Sequence, residues 1–356
     1  MKRSLKVSLD LANVSKLTQL NALGIEFSQA TNSFLLLLSQ ETKLDDRTVI
    51  KTLPSPLSYA FKQAAARQAT GIFSAWKARR GKKGQTPTLQ RMSMTLDYRF
   101  ITVQKNKGNT SFDLWLHLST LNKGKRIQIP IKSYAYLNSY SDNGWDMRPG
   151  GRLTQRDDGT WFLTLTFSKE APKAAATKPL GIDIGYRKLI VTSDGQVIGD
   201  DQRTLITKAD RKVWGSKAQL RSRREIKEWV NRKVKEIPWS TIGVLVHENL
   251  KYLKSGKSGK WSRNENRGFS FWLYSYSLDR IGQVAEVNGV QTKAVNPRNT
   301  SRTCPRCGHV DRLNRNGEVF HCKGCSLHED ADYIGAVNVL RRFTRVNEAP
   351  VVKEDR

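Results

Sequence analysis

The first ten residues alternate, with Leu5, Val7 and Leu9 on one face and polar side chains on the other, a period of two that predicts a half-buried strand over Ser4–Asp10. The period then lengthens: apolar positions recur at three- and four-residue steps from about Val14 to Leu44 and again from about Leu57 to Arg80, predicting helices. From Tyr98 to Ser168 it returns to two, in YRFITVQK, SFDLWLHLS, RIQIPIKS and TWFLTLTFS, with turn signals at Gly108-Asn109 and Asp157-Asp158-Gly159. An antiparallel sheet or small β-barrel follows, which the first strand can join, making the helical stretch an insertion.

EAPKAAATKP, residues 170–179, has few large apolar side chains and two prolines, and reads as a linker. Beyond it the pattern changes to alternating strands and helices. LGIDIG and KLIVTSDG predict strands, with Asp194-Gly195 as a hairpin turn signal. A basic helix is expected from about Arg211 to Glu236, then a buried strand TIGVLVHENL, a loop over residues 254–268, a helix from about Ser270 to Asn288, a strand QTKAV, and a last helix from about Asp332 to Arg342. This order describes an α/β unit.

Composition narrows the function classes. The 356 residues carry 61 Lys and Arg against 32 Asp and Glu, a formal net charge of +29 that argues against an ordinary metabolic enzyme and for a polyanionic partner. Hydrophobic residues at 38% with nine Trp exclude a disordered basic tail. The longest apolar run, Phe34–Leu38, is far below the roughly 20 residues that span a bilayer. No membrane partner and a cytoplasmic, nucleoid-associated location are the expectations, since the N-terminus has no secretory pattern.

Two basic clusters are candidate nucleic-acid contacts. Lys77, Arg79, Arg80, Lys82 and Lys83 surround Trp76 before a Gly-rich break, a pattern suited to stacking and phosphate neutralisation, although a solvated helix end has the same composition. The stretch from Arg211 to Glu236 holds ten cations against three acids, and Arg221, Arg223, Arg224 and Lys227 are its candidates for phosphate contact.

All four cysteines fall in two CxxC pairs, Cys304/Cys307 and Cys322/Cys325, with fourteen residues between. That spacing predicts a zinc ribbon holding one structural Zn²⁺ with no open coordination position, and not a pair of disulfides. Three acids interrupt or end apolar elements: Asp183 inside GIDIG, Glu248 at the end of VLVHE, and Asp332 at the start of the last helix, where an N-cap role is the alternative. Carboxylates at the ends of separate strands and one helix can converge on two Mg²⁺ ions about 4 Å apart, a site for phosphodiester hydrolysis.

GIDIG, VLVHENL, and NPRNTSRTCPRCGH with CKGCSLHEDADYIGAVNVL resemble the three RuvC motifs and zinc ribbon of the transposon-encoded TnpB family, relatives of the compact type V CRISPR effectors. The resemblance spans residues 180–340. It implies a catalytic Asp183, Glu248 and Asp332, with zinc on the four cysteines. One departure stands out: the family commonly has Asn two residues after the last catalytic Asp, where this chain has Ile334, so register makes Asp330 the second choice.

The implied architecture is multidomain, α/β and α+β. An RNase H-like (RuvC) nuclease domain at 179–300 and 329–345 would contain an inserted zinc ribbon at 301–328. Before it would come a β-barrel-like wedge domain at 1–12 and 92–170 with a helical recognition insertion at 13–91, and the linker at 171–178; a flexible tail, 346–356, would end the chain. The implied function is an RNA-guided DNA endonuclease of a mobile element, a monomer in a ribonucleoprotein with noncoding guide RNA and double-stranded target DNA, base pairing supplying the sequence specificity. The loop at 254–268 lies where such nucleases carry a lid. The alternatives are a nuclease-inactive guided repressor, a compact type V CRISPR effector, a plain zinc-ribbon DNA-binding factor and a strand-joining transposase.

Overall fold

The computed structural model describes residues 1–41, 44, 47–78, 86–105, 112–250 and 263–348. The chain divides into two units, 1–170 and 171–356. Among the described residues no helix is long and apolar enough to cross a membrane.

The alternating N-terminal segment forms β1 (Lys2–Ser8), and helix α1 (Val14–Ser39) follows after Asn13, whose side chain accepts the Lys16 N–H at 3.0 Å and so satisfies an otherwise orphaned donor. Helices α2 (Arg47–Thr52) and α3 (Tyr59–Ala78) come next. Strands β2 (Ser93–Leu96), β3 (Ile101–Lys105), β4 (Leu114–Ser119) and β5 (Arg126–Ile131) lead to a short helix α4 (Ala135–Asp142), then β6 (Asp146–Met147), β7 (Gly151–Gln155) and β8 (Trp161–Ser168).

These strands form two antiparallel sheets. One runs β1-β8-β7-β2, with β6 also on β8, and the other β3-β4-β5. The first strand does pair with a late one, from Lys2↔Ser168 to Ser8↔Phe162. Helices and sheets share one hydrophobic core: Leu23, Phe27 and Phe34 of α1 and Phe61, Ala65 and Ala69 of α3 belong to the same buried cluster as Leu5, Val7, Leu163 and Phe167.

The second unit is built on a five-stranded mixed sheet in the order β11-β10-β9-β12-β13. Its strands are β9 (Pro179–Asp183), β10 (Ile190–Thr192), β11 (Val197–Ile198), β12 (Val244–Glu248) and β13 (Gln291–Val295). The first three pair antiparallel, turning between β10 and β11 at Asp194-Gly195, while β12 runs parallel to both β9 and β13. Helices α5 (Gln202–Asp210) and α6 (Lys217–Lys233) join β11 to β12, and α7 (Arg263–Phe271) and α8 (Tyr274–Val287) precede β13. A three-stranded sheet follows, β14 (Arg315–Asn316), β15 (Val319–His321) and β16 (His328–Asp330), before the last helix α9 (Ala331–Glu348).

Several expectations are corrected. Helix α5 was not expected: its inward positions are Gln202, Ile206 and Ala209, too short and too polar a stripe to stand out. Of the loop expected at 254–268, residues 254–262 lie outside the described residues, but 263–268 are the start of α7, which packs Phe271 into the core. The expected helix from Ser270 is interrupted at Trp272–Leu273, and α9 outruns Arg342, so residues 346–348 of the expected tail are helical while 349–356 lie outside the description.

Candidate active site

Strand β9 lies in the middle of the mixed sheet and ends at Asp183. Its register with β12 pairs Gly181 with Val246, so Asp183 and Glu248, each two residues further on, leave the sheet at the same level and on the same face. Helix α9 packs against β9 with its N-terminal turn, which carries Asp332, at these strand ends. Two glycines make that approach possible. A Cβ on Gly181 would stand 2.4 Å from the Ala336 carbonyl oxygen, and one on Gly335 would stand 3.0 Å from Asp183 Oδ2. The Gly181 site has no room for a side chain, and at Gly335 the Asp183 carboxylate would have to give by a few tenths of an ångström.

The charges of two of the acids converge on the third. Burial, then the charges of Glu248 and Asp332, push the Asp183 carboxyl up to about 8, while Arg315 opposes the shift. Burial also raises Glu248, against the Thr300 hydroxyl, which donates to Glu248 Oε1, and against Arg315 and Arg342. Asp332 is buried, and Arg315 Nη2 donates to its Oδ1 at 2.9 Å.

Asp330 is occupied otherwise. Its Oδ1 accepts the backbone N–H groups of Asp332 and Tyr333, each at 3.0 Å, which caps α9. Burial pushes its carboxyl up, but Lys188 and the cap hydrogen bonds prevail and hold it below the usual carboxylate range. The capping role weighed for Asp332 thus falls to Asp330, and Asp332 is the acid whose charge reaches Asp183. Ile334 is buried with Cys304, Phe320, Cys322 and Ala331, filling the joint between α9 and the three-stranded sheet.

The four cysteine Sγ atoms lie within 4.8 Å of one another, the one group of three or more ligand side chains drawn this close among the described residues. Cys304 and Cys325 are 3.6 Å apart and Cys307 and Cys322 3.5 Å, against the edge of about 3.8 Å in a tetrahedron with Zn–S bonds of about 2.3 Å. The donor set fits one zinc. The acids are more loosely gathered, but oxygen donors whose charges converge on the buried Asp183 suit hard divalent cations.

Of the basic candidates, Lys77 is exposed, its Nζ 4.9 Å from the Phe73 ring centroid, and Arg79, Arg80, Lys82 and Lys83 lie outside the described residues. Arg221, Arg224 and Lys227 are exposed on α6, whereas Arg223 is half-buried, its guanidinium 5.7 Å from the Phe271 ring centroid. Sequence reasoning missed Arg315 and Thr300. Thr300 lies in the NPRNTSRTCPRCGH motif and Arg315 between the two CxxC pairs, but nothing in either stretch marks these side chains as partners of an acid, and only the fold brings them to the carboxylates.

A family model described as Cas12f1-like, TNB domain, matches residues 274–339. A CRISPR-associated endodeoxyribonuclease Cas12f1 from an uncultured archaeon is 31% identical over 105 residues, 28% of this chain and 19% of that protein. The TnpB-like protein MJ0751 of Methanocaldococcus jannaschii is 28% identical over 123 residues, 31% of this chain and 43% of the relative. The matched stretch therefore spans less than half of each relative's length. Among solved structures, a cryo-EM structure of a Cas12f1–sgRNA–target DNA complex superposes with a TM-score of 0.56 at 15% identity, covering 92% of this chain and 83% of that one, a likeness of fold.

Proposed function

We propose that the chain is a TnpB-like, RNA-guided DNA endonuclease with its active site at Asp183, Glu248 and Asp332. The mixed sheet, an antiparallel hairpin continued by two parallel strands, is read as an RNase H-like (RuvC) nuclease core, with the ribbon inserted before α9. The observation that carries the reading is the register that sets Asp183 and Glu248 on two neighbouring strand ends, with the charges of Glu248 and of Asp332 at the helix start both reaching Asp183.

Asp183, Glu248 and Asp332 would hold two magnesium ions, which when bound supply Lewis-acid stabilisation and a more acidic water. The protein's own part is to orient the ligands. Arg315 fixes Asp332, and the Thr300 hydroxyl fixes Glu248. Asn338 of α9 donates to the Thr300 and Thr303 carbonyls at 2.8 and 2.7 Å, holding the segment that carries Thr300. The cysteines would hold one structural zinc, whose sheet presents Arg315 on β14.

The guide RNA and double-stranded target DNA are the proposed partners, in keeping with the RNA and DNA of the superposed Cas12f1 complex. The test is to purify the protein from cells carrying its flanking DNA, sequence the bound RNA, and offer matching duplex with Mg²⁺ or EDTA. Cleavage with Mg²⁺ that Asp183→Ala abolishes while binding persists is the expected result. Tight, guided binding with no cleavage by the unaltered protein would make it a repressor instead.

A further inference from the structure

The turn between α5 and α6 exposes an aromatic ring. Trp214 is 58% exposed and Val213 76% exposed, while Arg211, Lys212, Lys217, Arg221 and Arg224 are exposed around them in sequence. From residue 208 to 224 seven cations stand against a single acid, Asp210, and that acid is engaged by Arg267 Nε at 2.8 Å. A tryptophan left open on such a surface, with no acid free beside it, suits a ligand that has both a flat ring and negative charge.

The turn is built rather than loose. Arg267 Nη2 also donates to the backbone carbonyls of Asp210 and Lys212, the latter at 2.6 Å, so one guanidinium ties down the residues leading to Trp214. Beyond it, the Gly215 N–H donates to Gln219 Oε1 at 2.8 Å, and Ser216 caps α6. The indole meets the fully buried Phe271 ring edge to face, centroids 6.1 Å apart, which anchors it to the core while much of it stays in water. Beside the turn, Arg203, Thr204, Thr207, Lys208, Arg211 and Lys212 line a hollow of about 440 Å³. Stacking ring and cationic hollow are thus joined by one residue, Val213.

We propose that this turn seats an unpaired nucleotide, with its base stacked on Trp214 and its phosphate held in the hollow by Arg203, Arg211 and Lys212. An unpaired base is specified because a duplex keeps its base faces stacked on one another and offers an exposed indole only its backbone. The inference rests on the nucleic-acid-binding part of the reading above and is independent of the carboxylate chemistry. RNA and DNA present the same base face and phosphate.

The experiment uses the full chain and labelled 12-nucleotide oligouridylate, oligothymidylate and a blunt 12-base-pair duplex, with affinities read by anisotropy at fixed salt for the unaltered protein, Trp214→Ala and Trp214→Phe. Trp214→Ala should weaken binding of an unpaired oligomer about tenfold and leave duplex affinity within about twofold, while Trp214→Phe keeps most of the affinity. The oligomer that loses affinity, RNA or DNA, identifies the source. Ultraviolet crosslinking of the halogenated oligomer should map to Trp214. Trp214→Ala removes the ring that packs on Phe271 and should melt slightly lower, whereas Trp214→Phe keeps a ring there and should melt with the unaltered protein.

Unchanged affinity for both unpaired oligomers in Trp214→Ala overturns the seat and leaves the guided-nuclease reading standing. A dimer that Trp214→Ala turns to monomer, with oligomer binding unaltered, also overturns it by making the patch an interface between copies. Failure of the unaltered protein to bind any of the three probes overturns the seat together with the nucleic-acid reading.

Discussion

Arg315 sits where one positive charge serves three negative ones. It is bonded to Asp332 and opposes the rise of both Asp183 and Glu248. Replacing it by Gln leaves a buried carboxylate without its cation, and guided cleavage should fall roughly 10- to 100-fold while nucleic-acid binding holds, as for other residues that orient metal ligands. Equal cleavage rates would remove Arg315 from the site. The proton on Asp183 gives a second prediction. Between 3.8 and about 8 the folded, metal-free protein keeps a proton that the unfolded chain releases, so stability falls as pH rises through that window. Asp183→Asn should therefore raise the melting temperature in EDTA at pH 8 and make little difference near pH 4. A melting temperature in EDTA at pH 8 no higher than that of the unaltered protein would contradict the raised pKa. Magnesium needs the carboxylate, so its affinity should strengthen from pH 6 to 8 and then level.

At the scale of elements, the ribbon and α9 are one assembly. Cys304, Phe320 and Cys322 share a buried cluster with Ala331 and Ile334, and Asn338 and Arg342 tie α9 to the segment that follows β13. Removing zinc should thus disturb Asp332 and Arg315 as well as the ribbon. Cys304→Ser is expected to lose cleavage and the ribbon's protection from proteolysis while the first unit's melting is retained; full cleavage by a metal-stripped protein would refute this. Gly181→Ala probes the joint of α9 with β9, since its Cβ would stand 2.4 Å from the Ala336 carbonyl oxygen, and should destabilise by about 1–3 kcal/mol, read from thermal melting. What the sequence disclosed here follows from locality. Asp183, Glu248, the cysteines and the strands around them were legible because a carboxylate in an apolar run or a CxxC pair is a pattern of neighbours. The physical reason for Asp332 over Asp330, a cap at Asp330 and the close approach of Gly335 to Asp183, exists only once α9 meets β9. Helix α5 and the first turns of α7 were hidden by polar sequence stabilised through tertiary contacts, Ile206 in one and Phe271 in the other. In the first unit, periodicity reported each element's own face but not the core that helices and strands bury together.

Over the whole molecule, a charge of +29 must be arranged so that acids can gather without losing the attraction for a polyanion. The arginines of α6 divide this labour in a way composition hides. Arg221 and Arg224 are exposed and stand free to meet phosphates, while Arg223 spends its cation on the face of buried Phe271. Counterion release makes the distinction measurable. If Arg221 and Arg224 each neutralise one phosphate of bound duplex, replacing either with Ala should flatten the slope of log K against log salt by about 0.9, and replacing both by about twice that. Arg223→Ala should instead lower the melting temperature and leave the slope alone, because a half-buried cation over a ring contributes through packing. The measurement is binding of a fixed duplex by the guide-loaded protein from low to moderate salt, with melting followed in parallel. A slope unmoved by the Arg221 and Arg224 changes would take α6 out of the interface, and an equal flattening by all three would mean that Arg223 leaves Phe271 when nucleic acid binds.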